Sequence, residues 1–419
     1  MHPNALLELA TDLLHQVMRF DAPADGVVSA FFRQHRALGS RERHTLAETT
    51  YDVLRHRALY QHLAQSGKGE MERRLAILGW QGNEGFLRAA LSESEQQWLE
   101  KVKAVDRASL PEKLRHNLPE WLAEPLHRAL GEEFWPLVES LNEPAALDLR
   151  VNTFKARRED VLAALGEAHI EAQPTPYSPW GLRVAGKPAL NKLELFTRGD
   201  VEVQDEGSQL LALMTDAKRG EMVVDFCAGA GGKTLALGAA MRNTGRLYAF
   251  DTSGHRLAAL KPRLARSGLS NVYPVQIAHE RDERIKRLAG KIDRVLVDAP
   301  CSGLGTLRRN PDMKWRQSLQ AVAELREKQA AILDSAARLV KSGGRLVYAT
   351  CSLLDDENEA VARAFTEAHG REFKVLPAAE ALAKAHAGTP EALVRDEFLR
   401  LWPHRHGTDG FFAAVWERG

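Results

Sequence analysis

From about Gln204 onward, short apolar segments bounded by turn residues alternate with segments of helical period. Met222 to Phe226, Arg246 to Phe250, Val272 to Ile277, Ile292 to Val297 and Arg345 to Ala349 read as strands, and Thr234 to Met241, Leu257 to Ser267 and Ser318 to Leu339 as helices. Alternation of this kind predicts an α/β domain, with a mostly parallel sheet carrying helices on both faces. In such sheets, ligands bind beyond the carboxyl ends of the strands. That edge is where functional residues are to be sought.

A chain of 419 residues exceeds the size at which one core keeps growing, so two or three domains are expected. From residue 4 to about 130 the apolar positions recur at three and four, as in Leu6, Leu7, Leu9, Leu13, Leu14 and Val17, which reads as an all-helical domain, 1–135. After Pro144 the pattern changes. Strand-like Leu147 to Val151 and Gly181 to Val184 flank a helix at Arg158 to Leu165, giving a small α/β linker domain, 136–203, before the main domain, 204–419.

The 57 Lys+Arg and 56 Asp+Glu nearly cancel, so no global charge marks a nucleic-acid or membrane partner and any basic surface must be local. Three cysteines without a CxxC pair exclude a disulfide framework and a cysteine zinc site, which suits a reducing cytoplasm. MHPNALLELATDLLHQ has no basic start, and no run of 18 apolar residues occurs, so a cytoplasmic protein with no membrane partner is expected. Among 15 histidines none forms HxH or HExxH, and no metal is expected.

The stretch VVDFCAGAGGKT, Val223 to Thr234, runs a strand into a glycine turn. A phosphate loop would need glycine where Cys227 stands, and a dinucleotide fingerprint would need a third glycine where Thr234 stands. What survives is a turn whose glycines let the backbone approach a ligand at a strand end. Asp251, ending the next strand, lies about where such folds meet ribose hydroxyls. A nucleoside-containing cofactor is favoured, of unspecified kind, against a plain tight turn with a helix-capping acid.

Each cysteine follows a strand: Cys227 after VVDF, Cys301 after RVLVDAP, Cys351 after RLVYAT. Any one alone would be read as core packing, since free cysteine is among the most buried residues. Together, with Asp298 in DAPCS and Ser352 in TCS, they point to one neighbourhood. A thiolate can add to carbon 6 of a pyrimidine and make carbon 5 nucleophilic. An acid at ring nitrogen 3 stabilises the developing charge, and a second polar or thiol group suits removal of the carbon 5 proton.

IDRVLVDAPCSG with LGTLRRNPDMKW, YATCSLLDDENE and CAGAGGK resembles the RNA 5-methylcytosine methyltransferases of the Sun family. RVNTFKARREDVL and VEVQDEGSQLLAL look like that family's preceding segment, and LGSRERHTLAETTYDVLRHR resembles the NusB-like helical domain of its bacterial 16S rRNA members. The resemblance implies a Rossmann-like class I methyltransferase domain and S-adenosylmethionine as methyl donor. It implies Cys351 as nucleophile, Cys301 in product release, Asp298 facing the cytosine ring and Lys233 near the base. Cys227, Ala228, Gly229, Ala230, Gly231, Gly232, Lys233, Asp251 and Asp298 would hold the cofactor. Two departures stand out. Gly229 and Ala230 replace Ala and Pro of the family's turn, and His279, with Glu280 and Asp282 just after, stands where an acid commonly meets the adenine side.

RNA is the expected partner, 16S rRNA favoured and tRNA the runner-up, with no obligate protein partner and a monomeric chain. Arg308, Arg309, Lys314 and Arg316 around Trp315 form a basic loop placed to hold phosphates beside a flipped base. Arg33, Arg36, Arg41, Arg43, Arg55 and Arg57 offer a second basic face against ordinary surface arginine. DDENE, Asp355 to Glu359, reads as the acidic start of a helix. A catalytically retired RNA-binding factor and a nicotinamide oxidoreductase are the competing readings. Both leave Cys301 and Cys351 unused.

Overall fold

The computed structural model describes all 419 residues. The chain divides into two compact units, residues 1–144 with 306–319, and residues 145–305 with 320–419. The helical part therefore runs to residue 144 rather than 135, and the small sheet expected as a separate linker domain belongs to the second unit. The sheet nevertheless keeps its own core of Leu149, Val151, Val161, Leu165, Leu182, Val184 and Val201.

The first unit is built from helices whose apolar stripes meet in one cluster, with Leu7, Leu13, Leu46, Val53, Leu54 and Leu75 fully buried. Burying such a side chain contributes about 1.5–3 kcal/mol. Glu42 accepts the Gly39 amide at the start of Ser40–Arg55, and Ser92 with Glu95 forms a capping box on Glu93–Lys103.

The segment 306–319, which carries the predicted RNA-contacting residues, packs with these helices. Lys314 Nζ donates to the Arg55 carbonyl at 2.8 Å and Trp315 Nε1 to the Leu54 carbonyl at 2.8 Å. These are last-turn carbonyls of Ser40–Arg55, which have no partner within the helix. Asp312 accepts the Ala24 amide, Arg55 donates to the Arg308 carbonyl, and Arg308 donates to the Pro144 carbonyl. Arg316 pairs with Asp312 at 3.5 Å, and Arg309 is only half exposed. Lys314 is 3% exposed and so does not meet a phosphate. The second basic face also shrinks, because Arg55 is buried and Arg57 lies over the rings of Phe20 and Trp315. Arg33, Arg36 and Arg41 remain exposed, and Arg43 is half-buried against the Leu38 carbonyl.

Burial, reinforced by Arg55, pushes the Lys314 pKa down to about 7. Between that value and the ordinary one near ~10.4 the unfolded chain binds a proton that the folded chain does not, so this group makes stability rise with pH across the window. The limiting slope is about 1.4 kcal/mol per pH unit. Lys314→Met should flatten that rise. Urea midpoints of the full chain measured from pH 7 to 9.5 check it, and identical pH profiles for the two proteins would refute it.

The second unit opens with the small sheet, formed by β1 (Leu147–Val151), β2 (Ala172–Pro174), β3 (Gly181–Val184) and β4 (Val201–Val203), in the antiparallel order β2-β3-β1-β4. The large sheet follows with β5 (Met222–Asp225), β6 (Arg246–Asp251), β7 (Val272–Gln276), β8 (Ile292–Asp298) and β9 (Val340–Thr350). It is completed by β10 (Phe373–Leu376), β11 (Val394–Arg395), β12 (Phe398–Leu401) and β13 (Phe411–Arg418). The order is β11-β12-β13-β9-β8-β5-β6-β7, with β10 on β13. β5 to β9 pair in parallel, and β13 pairs antiparallel with β9, so the sheet is Rossmann-like with an antiparallel side. Apolar clusters cover both faces.

The chain runs outward from β5 through β6 to β7, then returns to the other side of β5 to lay down β8 and β9. That reversal puts the topological switch point between β5 and β8, the place where open α/β sheets bind ligands. No helix is long and apolar enough to cross a membrane.

Candidate active site at the switch point

The glycine turn leaves β5 and enters the helix Gly232–Ala240. Gly231 caps that helix with φ 83°, and a Cβ there would lie 2.1 Å from Leu260 Cδ1, so both conformation and packing require glycine. Gly229 has φ 56° and open space where a side chain would stand. Ala228 donates to the Phe250 carbonyl at 2.8 Å, and Arg263 holds the Ala230 carbonyl at 2.7 Å. Thr234, which stands where a dinucleotide fingerprint would need glycine, donates to Asp225 Oδ2 at 2.6 Å. Asp225 is fully buried, and burial raises its carboxyl to about 7.

Asp251, at the end of β6, accepts the amides of Gly229 and Ser253, at 2.8 and 2.7 Å. The acid thus braces the turn and also borders a cavity of about 350 Å³, lined by Phe226, Cys227, Asp251, Thr252, Ser253, Arg256, Ile277, Glu280, Pro300, Lys328 and Ile332. Apolar walls with two carboxylates, Asp251 and Glu280, suit a nucleoside: a flat base against Phe226, Ile277 and Ile332, and hydroxyls toward a carboxylate. His279 does not line this cavity. It is exposed, its Nδ1 accepts the Arg281 amide, and its neighbour Glu280 lines the cavity instead. In this turn the residue after His279 faces inward, a direction that motif spacing does not specify.

On the other side of the switch point the two loops after β8 and β9 meet. Cys301 Sγ lies 3.4 Å from Cys351 Sγ, and the Cys351 amide donates to Cys301 Sγ at 3.3 Å. Hydrogen bonding between Cys301 and Cys351, and then burial, push the Cys301 thiol well up, so it keeps its proton. Cys227 stands apart from this pair on the cavity wall, its thiol pushed up by burial first and then by Asp298. Lys233 Nζ donates to Asp298 Oδ2 at 2.8 Å. Burial works against the Lys233 charge, but Asp298, with Cys351 adding to the field, outweighs it and raises the pKa. Lys233 is only 11% exposed while Asp298 is 30% exposed, so an oxygen of the carboxylate faces outward beside the thiols.

Beneath the cysteines sits a network absent from the sequence reading. Glu357 is fully buried and accepts the Ser302 amide at 2.8 Å, the Ser302 hydroxyl at 2.5 Å, the Ser352 hydroxyl, and Gln329 Nε2 at 3.0 Å. The two serines directly follow the two cysteines and lie 3.2 Å apart. Asn358 donates to the Ser352 carbonyl and accepts from Thr350, and Arg400 donates to the Leu353 carbonyl at 2.8 Å and pairs with Asp355 and Glu359. DDENE is therefore both a lead into the helix Glu359–His369 and the clamp beneath both thiols. Serine directly after each cysteine was the available signal, because two buried hydroxyls need a common acceptor.

Two family models match the chain. One, the 16S rRNA methyltransferase RsmB/F, covers residues 212–417, and the other, the RsmF/B-like ferredoxin-like domain, covers residues 118–191. The chain is 35% identical to the probable ribosomal RNA small subunit methyltransferase B of Synechocystis sp. over 332 residues, 79% of this chain and 72% of that one. It is 33% identical to the probable counterpart of Bacillus subtilis over 341 residues, 80% of this chain and 74% of the other. The crystal structure of PH0851 matches with TM-score 0.82 and 27% identity over 100% of this chain and 99% of that one. A methyltransferase homolog from Pyrococcus horikoshii matches with TM-score 0.63 and 27% identity over 75% of this chain and 99% of its own.

Proposed function

Since the chain belongs to the RsmB/F group of 16S rRNA methyltransferases within the Sun family, we propose that its reaction is methylation of carbon 5 of a cytosine in RNA, with 16S rRNA as substrate. The observation that carries the carbon 5 reading is the pair of sulfurs 3.4 Å apart at the ends of adjacent strands, beside the Lys233–Asp298 pair. Methylation at a ring nitrogen or at a ribose needs no thiol.

The cofactor is S-adenosylmethionine, which supplies an electrophilic methyl group on a sulfonium. Asp251 and the Cys227–Gly232 turn would hold it, and Phe226 and Ile277, in the wall of the adjoining cavity, would offer the apolar surface for its base. The Cys351 thiolate adds to carbon 6 of the cytosine, and the electron pair displaced to carbon 5 forms the new carbon–methyl bond as the sulfonium–methyl bond breaks and S-adenosylhomocysteine leaves as a neutral thioether. Asp298 faces ring nitrogen 3, where charge develops in the adduct, and Lys233, 2.8 Å from it, fixes the orientation of that side chain and offsets the charge. Loss of the carbon 5 proton to a base then expels the Cys351 thiolate. Cys301, whose sulfur lies 3.4 Å from that of Cys351, assists the expulsion by supplying a proton to the departing sulfur.

The test is incubation of the full chain with methyl-labelled S-adenosylmethionine and unmodified 16S rRNA, followed by nucleoside analysis. Label in 5-methylcytosine is the expected result. Label in any other nucleoside, or none in RNA, would overturn the reading.

A further inference from the structure

Two free thiols this close can react with each other. Cys301 Sγ and Cys351 Sγ are 3.4 Å apart and a disulfide needs about 2.05 Å, so bonding takes an approach of about 1.4 Å shared between two side chains. The backbones are already suitably spaced. β8 and β9 pair in parallel as far as Asp298 and Ala349, and Ala299 donates to the Ala349 carbonyl at 2.9 Å. The loops carrying the cysteines therefore leave neighbouring strands about 4.7–4.9 Å apart, within the range of about 4.4–6.8 Å over which the Cα atoms of a disulfide lie. Glu357, which holds Ser302 and Ser352 beside the two cysteines, keeps that placement fixed.

The pair is also within reach of a small oxidant. Neither cysteine is fully buried, and the opening that admits a cytosine to Cys351 admits a peroxide. The thiolate is the form that reacts, and Cys301 is held as the thiol, so Cys351 is the sulfur that meets the oxidant first. Cys227, on the cavity wall, stands apart from both.

We propose that Cys301 and Cys351 form a reversible modification site, which a peroxide oxidises to a disulfide that stops methyl transfer and which low-molecular-weight thiols reopen. The Cys351 thiolate attacks one oxygen of hydrogen peroxide, the oxygen–oxygen bond breaks, and the hydroxide released takes up a proton as water, leaving a sulfenic acid. The Cys301 sulfur then attacks the Cys351 sulfur. The sulfur–oxygen bond breaks, the Cys301 proton goes to the departing hydroxide, and a second water leaves. Two thiols and one peroxide thus become one disulfide and two waters. In the disulfide the Cys351 sulfur has no electron pair to place on carbon 6, and it is spared the irreversible step to sulfinic acid. Such a bond is transient in a reducing compartment, which suits a switch better than a structural link. The loss of activity rests on the RNA-methylating reading above, whereas formation of the bond does not.

The test treats the reduced full chain with hydrogen peroxide and follows it by intact mass, peptide mapping and titration of free thiols. Methyl transfer to unmodified 16S rRNA is assayed before oxidation, after it, and after dithiothreitol. The chain should become lighter by two hydrogen atoms, keep one free thiol of its three, and yield a linked peptide pair containing Cys301 and Cys351. Methyl transfer should fall in proportion to the fraction oxidised and return with the thiols. Cys227→Ser should still form the bond, whereas Cys301→Ser should carry Cys351 on to sulfinic acid, which dithiothreitol does not reverse. Sulfinic acid at Cys351 of the unaltered chain without any linked peptide would overturn the proposal. So would a linked chain that methylates RNA at the reduced rate. A chain that forms the bond but, when reduced, methylates no RNA would refute the underlying reading and with it the switch.

Discussion

Replacing Cys351 by alanine is expected to reduce methyl transfer by at least about 10³-fold, while Cys301→Ala retains the first transfer and traps the protein on its RNA. The asymmetry follows from the order of bond changes. Without the Cys351 sulfur no electron pair reaches carbon 5, and the methyl group is never attacked. Without Cys301, attack and transfer proceed, but the departing Cys351 sulfur loses the thiol that lies 3.4 Å away. An adduct resistant to denaturing gel electrophoresis should therefore accumulate in Cys301→Ala at about one per chain and be absent in Cys351→Ala and in the double variant. Measurement of labelled product and of gel-shifted protein in one reaction distinguishes the roles. Adduct in Cys351→Ala, or full turnover by it, would remove this cysteine as the nucleophile.

Much of this site could be read before the structure. An apolar run that ends in DAPCS or ATCS fixes where a strand stops, and a parallel sheet brings such stops to one edge, so Cys301, Cys351 and Asp298 had to be neighbours. What spacing does not carry is the direction of a side chain in a loop. Lys314 and Trp315 look like a basic, aromatic RNA loop, but their donors serve the carbonyls that end the helix Ser40–Arg55, more than 250 positions earlier in the chain. His279 and Glu280 are adjacent, and a turn decides which of them lines the cavity. The strands β10 to β13 escaped because FFAAVWER is buried along most of its length on both faces, and a run without alternation has no period to read. Glu357 was hidden among acids that resemble a solvated helix start, since three of its four donors belong to Ser302 and Gln329, 55 and 28 positions earlier in the chain.

Glu357→Ala should destabilise the second unit by about 3 kcal/mol and, at temperatures where the protein stays folded, slow methyl transfer about 100-fold without weakening cofactor binding. The stability part follows from what the carboxylate leaves behind. The Ser302 amide and the Ser302 and Ser352 hydroxyls lose this acceptor in a region closed to water, and Gln329 keeps only the Pro300 carbonyl. Each buried donor without a partner costs about 1–3 kcal/mol, reduced where the serines can turn to each other across 3.2 Å or to a nearby carbonyl. The catalytic part follows from position. Ser302 and Ser352 each adjoin a cysteine, so Glu357 is the common anchor that sets the distance between the two sulfurs, and an error of about 1 Å in a reacting group costs about 100-fold. Glu357→Gln sharpens the test, because the amide keeps the volume and one acceptor oxygen but turns a second donor toward Ser302 or Gln329. It should lie between the alanine variant and the unaltered chain in melting temperature. Both variants should hold S-adenosylhomocysteine normally, since Glu357 does not line the nucleoside cavity. A variant that melts early yet transfers methyl groups at the unaltered rate would show that Glu357 stabilises the fold without setting the geometry of the cysteines.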